Sequence, residues 1–234
     1  MTIRLVVRTL SELCVTAGAL IVLFVVYILF WTGMRADSAM NGEIDRLQNT
    51  WATGSLAPAD PPPSPSVPSA APTEPAPYQD GTSFAVMYIP RFGAGWHKPV
   101  LQGTGTGVLK KGLGHYPGTA RLGATGNFSV AGHRRTYGDP FKDFPELRKG
   151  DRVHLFDGVS WYTYVLDRAP FRTVPTDTGV IDPVPAKSGW TAPGRYLTLT
   201  TCDPEWGHSH RLIAWAHLET VRPAEQGRPD GLSG

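Results

Sequence analysis

The sequence predicts an all-β domain closed as a barrel, carried behind an N-terminal membrane-length helix and a proline-rich linker. Three observations carry that reading. From Phe84 to about Val221, short β-type runs alternate with Gly, Pro and Asp. The 26 Gly and 22 Pro exceed ordinary usage and favour turns and extended chain over helix. No stretch of about 12 residues with amphipathic helical spacing interrupts the series. At 234 residues there is room for one full domain with appendages.

The N-terminal element is the apolar run Leu13–Trp31, nineteen residues without a charge. As a helix it spans roughly 28 Å, close to a bilayer core. Arg4 and Arg8 precede it, and Arg35 beyond it is balanced by Asp37 and Glu43. This bias keeps residues 1–12 cytoplasmic and places the remainder outside the membrane. A cleavable signal peptide would have a shorter apolar core and a small-x-small exit, whereas this run ends in Leu29-Phe30-Trp31. An uncleaved single-pass anchor is the better reading. In the juxtamembrane segment, 32–55, Ile44, Leu47 and Trp51 have helical spacing, so it either continues the membrane helix outward or lies on a surface.

The linker, 56–81, is dominated by Leu56–Pro77, with nine prolines and almost no large apolar side chains. Such a composition cannot bury enough surface to fold and favours polyproline II. At ~3.1 Å per residue it could hold a domain roughly 70 Å from the membrane. The domain itself, 82–222, contains the strand-like runs FAVMYIP, KPVLQG, NFSVAGH, DRVHLFDG, SWYTYVLDRAPF, RYLTLTTC and RLIAWAHL. Asp157-Gly158 marks a hairpin turn, and DPFKDFPELRKG allows a short helical turn. In SWYTYVLDR the alternation of Trp161, Tyr164 and Val165 is imperfect and leaves the buried face open. The polar tail, 223–234, is expected to be disordered.

Net charge is only +2 and the basic residues are scattered, so no nucleic-acid footprint exists. Of the two cysteines, Cys14 lies in the apolar run and Cys202 ends the strand YLTLTTC, so they do not pair. A lone thiol outside the membrane is either a buried, inert residue or a reactive one. Pro204 stops the strand just past Cys202, which places the thiol where chain leaves sheet. Arg211 opens the next strand. If the two strands pair as a long-looped hairpin, Cys202 and Arg211 lie side by side. A guanidinium there stabilises a thiolate and can bind a developing oxyanion. For a base, His133 ends a strand beside Gly132, while His208 and His210 flank the arginine; spacing alone does not separate His133 from His210. His154 and His217 read as packed strand residues, and His97 sits in a Gly-rich loop. His208 and His210 lack further ligands at metal spacing.

GHYPGTARLGATGNFSVAGHRRTYGDPF, followed by YLTLTTCDP and HRLIAWAHL, resembles the sortase family across residues 82–222. Thr198–Cys202 matches its TLxTC motif, Gly132-His133 its upstream Gly-His element, and Arg211 its arginine on the following strand. The TLTTC-Asp-Pro and GHRRTYGDPF details are most similar to class E, with class D a near neighbour. The resemblance implies an eight-stranded β-barrel and a cysteine transpeptidase with Cys202, His133 and Arg211 as catalytic residues. Thr201 is implied as a weaker contributor to an oxyanion site. Implied partners are proteins bearing an LAxTG- or LPxTG-type sorting signal and a peptidoglycan amine. No acidic cluster of calcium-binding type is visible, so no metal or other cofactor is expected. The His-before-Cys order is opposite to NlpC/P60-type peptidases, and the SHGC element of L,D-transpeptidases is absent. The alternative from another class is a membrane-tethered wall-binding module with an inert thiol.

Overall fold

The computed structural model describes residues 2–55 and 77–232, with the side chains of 2, 28–33 and 55 left aside. Nine strands form one sheet: β1 (Ser83–Tyr88), β2 (His97–Gln102), β3 (Leu113–His115), β4 (Gly126–Ala131), β5 (Arg152–Phe156), β6 (Ser160–Leu166), β7 (Phe171–Thr173), β8 (Arg195–Asp203) and β9 (His210–Pro223). Their order is β6-β5-β1-β2-β3-β4-β8-β9, and β6 pairs back onto β9, so eight strands close a barrel. The short β7 extends the sheet along the first half of β9. Pairing is antiparallel except for β2–β3 and β4–β8. β3 has no counterpart among the runs recognised in the sequence. With three residues, one of them Gly114, it offers no alternation to read.

The interior is filled by one cluster that includes Met87, Val100, Phe128, Phe141, Tyr164, Leu197 and Leu199. It also explains the broken pattern of β6. Tyr162, Tyr164 and Leu166 face this core, while Trp161 and Thr163 on the opposite face are buried as well. Trp161 stacks on Phe156 and packs against Tyr88, and Thr163 bonds the Nδ1 of buried His154. A strand covered on both faces loses its alternation.

Beside it, the outer face of β1 and β2 is covered by α1, one uninterrupted helix from Thr2 to Ser55. Its candidate membrane span among the described residues is Ile3–Tyr27, fully exposed to its surroundings and starting ahead of the uncharged run. Beyond the span the helix continues and packs on β1 and β2. Ala36, Met40, Glu43, Ile44 and Leu47 are buried on one face of it, with Ile44 and Leu47 against Val86. Trp51 meets Phe156 edge-on, 5.1 Å between ring centres. Burying Met40, Ile44 and Leu47 contributes on the order of 5 kcal/mol. The carboxylate of Glu43 is satisfied by Ser83 Oγ at 3.1 Å, Arg46 at 3.1 Å and Lys111 at 3.7 Å. The segment 32–55 therefore does both things its spacing allowed: it prolongs the apolar helix and lies on a protein surface.

Residues 56–76 of the linker lie outside the described residues. One expectation needs correction: the tail does not stay loose. Ala224–Gln226 form a 3-10 turn, Ala224 N donates to Val159 O at 2.8 Å, and Pro229 is buried. The short turn expected within DPFKDFPELRKG is present at Phe144–Glu146.

Two barrel histidines are held neutral. His115 bonds Gln102, Thr119 and Ala120, and burial pushes its pKa to about 4. His154, its Nε2 without a partner, is likewise pushed to about 4 by burial and then by Arg152. In the unfolded chain both return to about 6.5 and bind more protons between those values. Stability contributed by these groups is therefore complete above about pH 6.5 and is lost as pH falls toward 4. Thermal melts should show Tm dropping by about 5 °C or more between pH 7 and 4.5, and His154→Gln should flatten that dependence.

Candidate active site

The site stands at one rim of the barrel, where three adjacent strands end. β8 pairs antiparallel with β9, and that register sets Cys202 directly opposite Arg211 and Asp203 opposite His210. On the other side β8 runs parallel to β4, with Ala131 beside Thr200. Gly132 N continues the ladder by donating to Thr200 O at 3.1 Å. His133 thus leaves β4 at the level where Cys202 leaves β8, and the thiol lies between the histidine strand and the arginine strand. Cys202 is half-buried and unpaired.

Local packing fixes each partner. A Cβ on Gly132 would come within 2.6 Å of Phe141 and 2.7 Å of Leu113, so only glycine lets β4 turn against the core here. Thr201 is buried and its hydroxyl donates to Gly132 O at 2.8 Å, a bond that ties β8 to the backbone before His133. Its hydroxyl proton is thereby committed to spacing the strands. Arg211 Nη1 donates to the carbonyl oxygens of His208 at 3.0 Å and His210 at 2.9 Å. The loop with two histidines thus contributes its backbone to aiming the guanidinium. The His210 ring is engaged elsewhere, with Arg172 at 3.1 Å and Ser209 at 3.0 Å.

His133 is half-buried beside Tyr137, with ring centres 5.2 Å apart. Burial, and secondarily the Lys110 ammonium, lower its pKa below the ordinary imidazole value. It is consequently neutral at pH 7 and able to accept a proton.

Several contributors escaped the sequence reading. Asp203, immediately after the thiol, pairs with Arg134, immediately after the histidine, and its other oxygen accepts from Arg172 Nε at 2.8 Å. Arg135 pairs with Glu205 on the same loop and lies 5.0 Å from the exposed Trp206 ring. The signal was present as two dipeptides 69 positions apart, His133-Arg134 and Cys202-Asp203, which carry opposite charges after the two site residues. Tyr116, whose hydroxyl bonds Thr200 Oγ1 at 2.9 Å, carried no signal of its own. It lines a cavity of about 110 Å³ with Thr200, Arg211, Val180, Ile181 and Ile213. This recess, of mixed polar and apolar lining, opens beside the guanidinium.

Residues 87–219 match the sortase domain. The chain belongs to the sortase family. It is 35% identical to sortase SrtE1 of Streptomyces coelicolor over 96% of its own length, although it spans only 60% of that relative. Sortase D of Bacillus subtilis matches at 29% identity over 54% of this chain. Among solved structures, sortase E from Streptomyces avermitilis is 67% identical, with TM-score 0.64, covering 67% of this chain and all of that one. Sortase E1 from S. coelicolor, solved with a tripeptide in its active site, is 35% identical with TM-score 0.61, covering 65% of this chain and 98% of that one. The class E relatives extend over nearly the whole chain and the class D relative over half, so class E is the better description.

Proposed function

We propose that this sortase is a membrane-anchored cysteine transpeptidase acting outside the cytoplasmic membrane, with Cys202 as nucleophile, His133 as general base and acid, and Arg211 as the carbonyl and oxyanion partner. The single observation behind this reading is the strand register that sets one thiol between an imidazole strand and an arginine strand. The half-buried position of Cys202 favours it over an inert core thiol in a binding module.

In this mechanism neutral His133 takes the thiol proton, and the thiolate attacks the Thr–Gly carbonyl of an LAxTG- or LPxTG-type sorting signal. Charge developing on the carbonyl oxygen is met by the Arg211 guanidinium, which is always protonated and already oriented by two loop carbonyls. The His133 imidazolium then protonates the departing glycine amine as the C–N bond breaks, leaving a thioester on Cys202. An incoming peptidoglycan amine loses a proton to His133 and takes the acyl group, with water as the competing acceptor. The recess beside Arg211 receives an apolar side chain of the extended signal. The Ile3–Tyr27 helix supports an anchored protein with its N-terminus cytoplasmic and its barrel outside.

Incubation with LAxTG and LPxTG peptides, read by mass spectrometry, should give a thioacyl adduct on Cys202 and none on Cys202→Ala. Turnover should fall by at least about 1,000-fold in Cys202→Ala and His133→Ala, whereas His210→Ala should keep most of it. Normal turnover in Cys202→Ala removes the nucleophile assignment, and a dead His210→Ala with an active His133→Ala reverses the choice of base. Because His133 is depressed, the acid limb of kcat/KM should lie below pH 6.5.

A further inference from the structure

The helix that leaves the membrane reaches the histidine loop. Its first buried turn, Ala36 to Met40, closes over Gly138. A Cβ built there would lie 2.9 Å from Met40 Cε, 2.9 Å from Asp37 Oδ1 and 3.5 Å from Ala36 Cβ. Gly138 is the third of four consecutive residues with positive φ: Thr136 at 79°, Tyr137 at 50°, Gly138 at 78° and Asp139 at 48°. Left-handed backbone at three non-glycine residues is unfavourable and persists only where the surroundings hold it. Part of the hold is local. Asp139 Oδ1 accepts from Thr136 N at 2.6 Å, and Arg135 bonds Asp139 Oδ2 at 3.2 Å. The rest comes from the helix, since Met40 is buried to 1% exposure and Asp37 also pairs with Lys98 on β2 at 3.3 Å. This turn delivers Tyr137 to the face of His133, and Lys110 Nζ lies 5.2 Å from the Tyr137 ring.

We propose that Met40 is a positioning residue for His133: by seating Gly138 it holds the left-handed turn that keeps Tyr137 over the imidazole. The juxtamembrane helix is in that sense a working part of the catalytic unit. The proposal deepens the reading of His133 as acid and base and rests on it for its effect on turnover, but not for its effect on the ring itself. The groups around that ring are Tyr137 on its own loop, Lys110 on α2 (Thr106–Leu109 and its cap), and across the strand register Cys202 on β8 and Arg211 on β9. Of these, Tyr137 is the one carried by the turn that Met40 seats; the Lys110 turn is tied to the helix separately, through Lys111 and Glu43. Losing Tyr137 exposes the imidazole to water, which favours the protonated form.

The test uses the full chain in detergent micelles, with histidine labelled for NMR titration, in wild type and in Met40→Asp, Met40→Ala and Met40→Leu. The His133 signal is assigned from His133→Gln. In Met40→Asp and, less so, Met40→Ala, the His133 midpoint should rise toward the ordinary value. kcat should fall about 10-fold with KM within about 2-fold. Met40→Leu should match wild type. His115 and His154 report the barrel in the same spectra and should keep their low midpoints. If Met40→Asp unfolds the barrel, Met40→Ala decides. A His133 midpoint unchanged in the variant whose barrel is intact overturns the proposal, even if kcat falls. A shifted midpoint together with an active His133→Ala keeps the positioning role and sinks the acid–base assignment instead.

Discussion

Everything at the site depends on the way β8 is paired on its two sides. Along β4 it runs parallel, so both strands end in the same direction and at the same rim. Along β9 it runs antiparallel, so the beginning of β9 meets the end of β8. That combination gathers three side chains, separated by up to 78 positions in sequence, without any side chain having to reach far. A slip of one residue in either ladder would turn the thiol or the guanidinium to the other face of the sheet. The bond from Thr201 to Gly132 and the crossed ion pairs of Asp203 with Arg134 and Arg172 resist such a slip where the ladders run out.

The same loop region balances two demands. A thiol proposed as nucleophile gains from a nearby positive charge, yet the residue that follows it in the chain, Asp203, is acidic. Its two oxygens are each neutralised by an arginine, which limits how far that charge acts on the thiol. The arginine that faces the thiol in the ladder is a different one, held by backbone carbonyls rather than by carboxylates. Ionic contacts thus shape the loop, while the guanidinium assigned to the reaction keeps its net charge.

The barrel was legible because most of its strands are short, apolar and bounded by Gly, Pro or Asp, and because the Asp157-Gly158 turn is local. β3 was not, being too short for a period. The faces of β6 were not, since Trp161 is covered on its outer face by Phe156 and Tyr88 from neighbouring strands, which no local pattern records. Cys202 and Arg211 could be placed from one hairpin assumption, but the choice of His133 over His210 could not. It depends on a parallel pairing between strands about seventy residues apart, which no periodicity encodes. The resemblance supplied that choice, and the register now gives it a geometry. The docking of 36–51 was half visible: Ile44, Leu47 and Trp51 marked the apolar face, but nothing in the sequence named β1 and β2 as its partner.

The helix that docks on the barrel is unbroken, and this couples its two ends mechanically. From Tyr27 to the Met40 seat it rises roughly 20 Å, so the apolar Ile3–Tyr27 stretch stands off the barrel like a mast on a fixed footing rather than on a swivel. Tilting that stretch tilts the barrel with it.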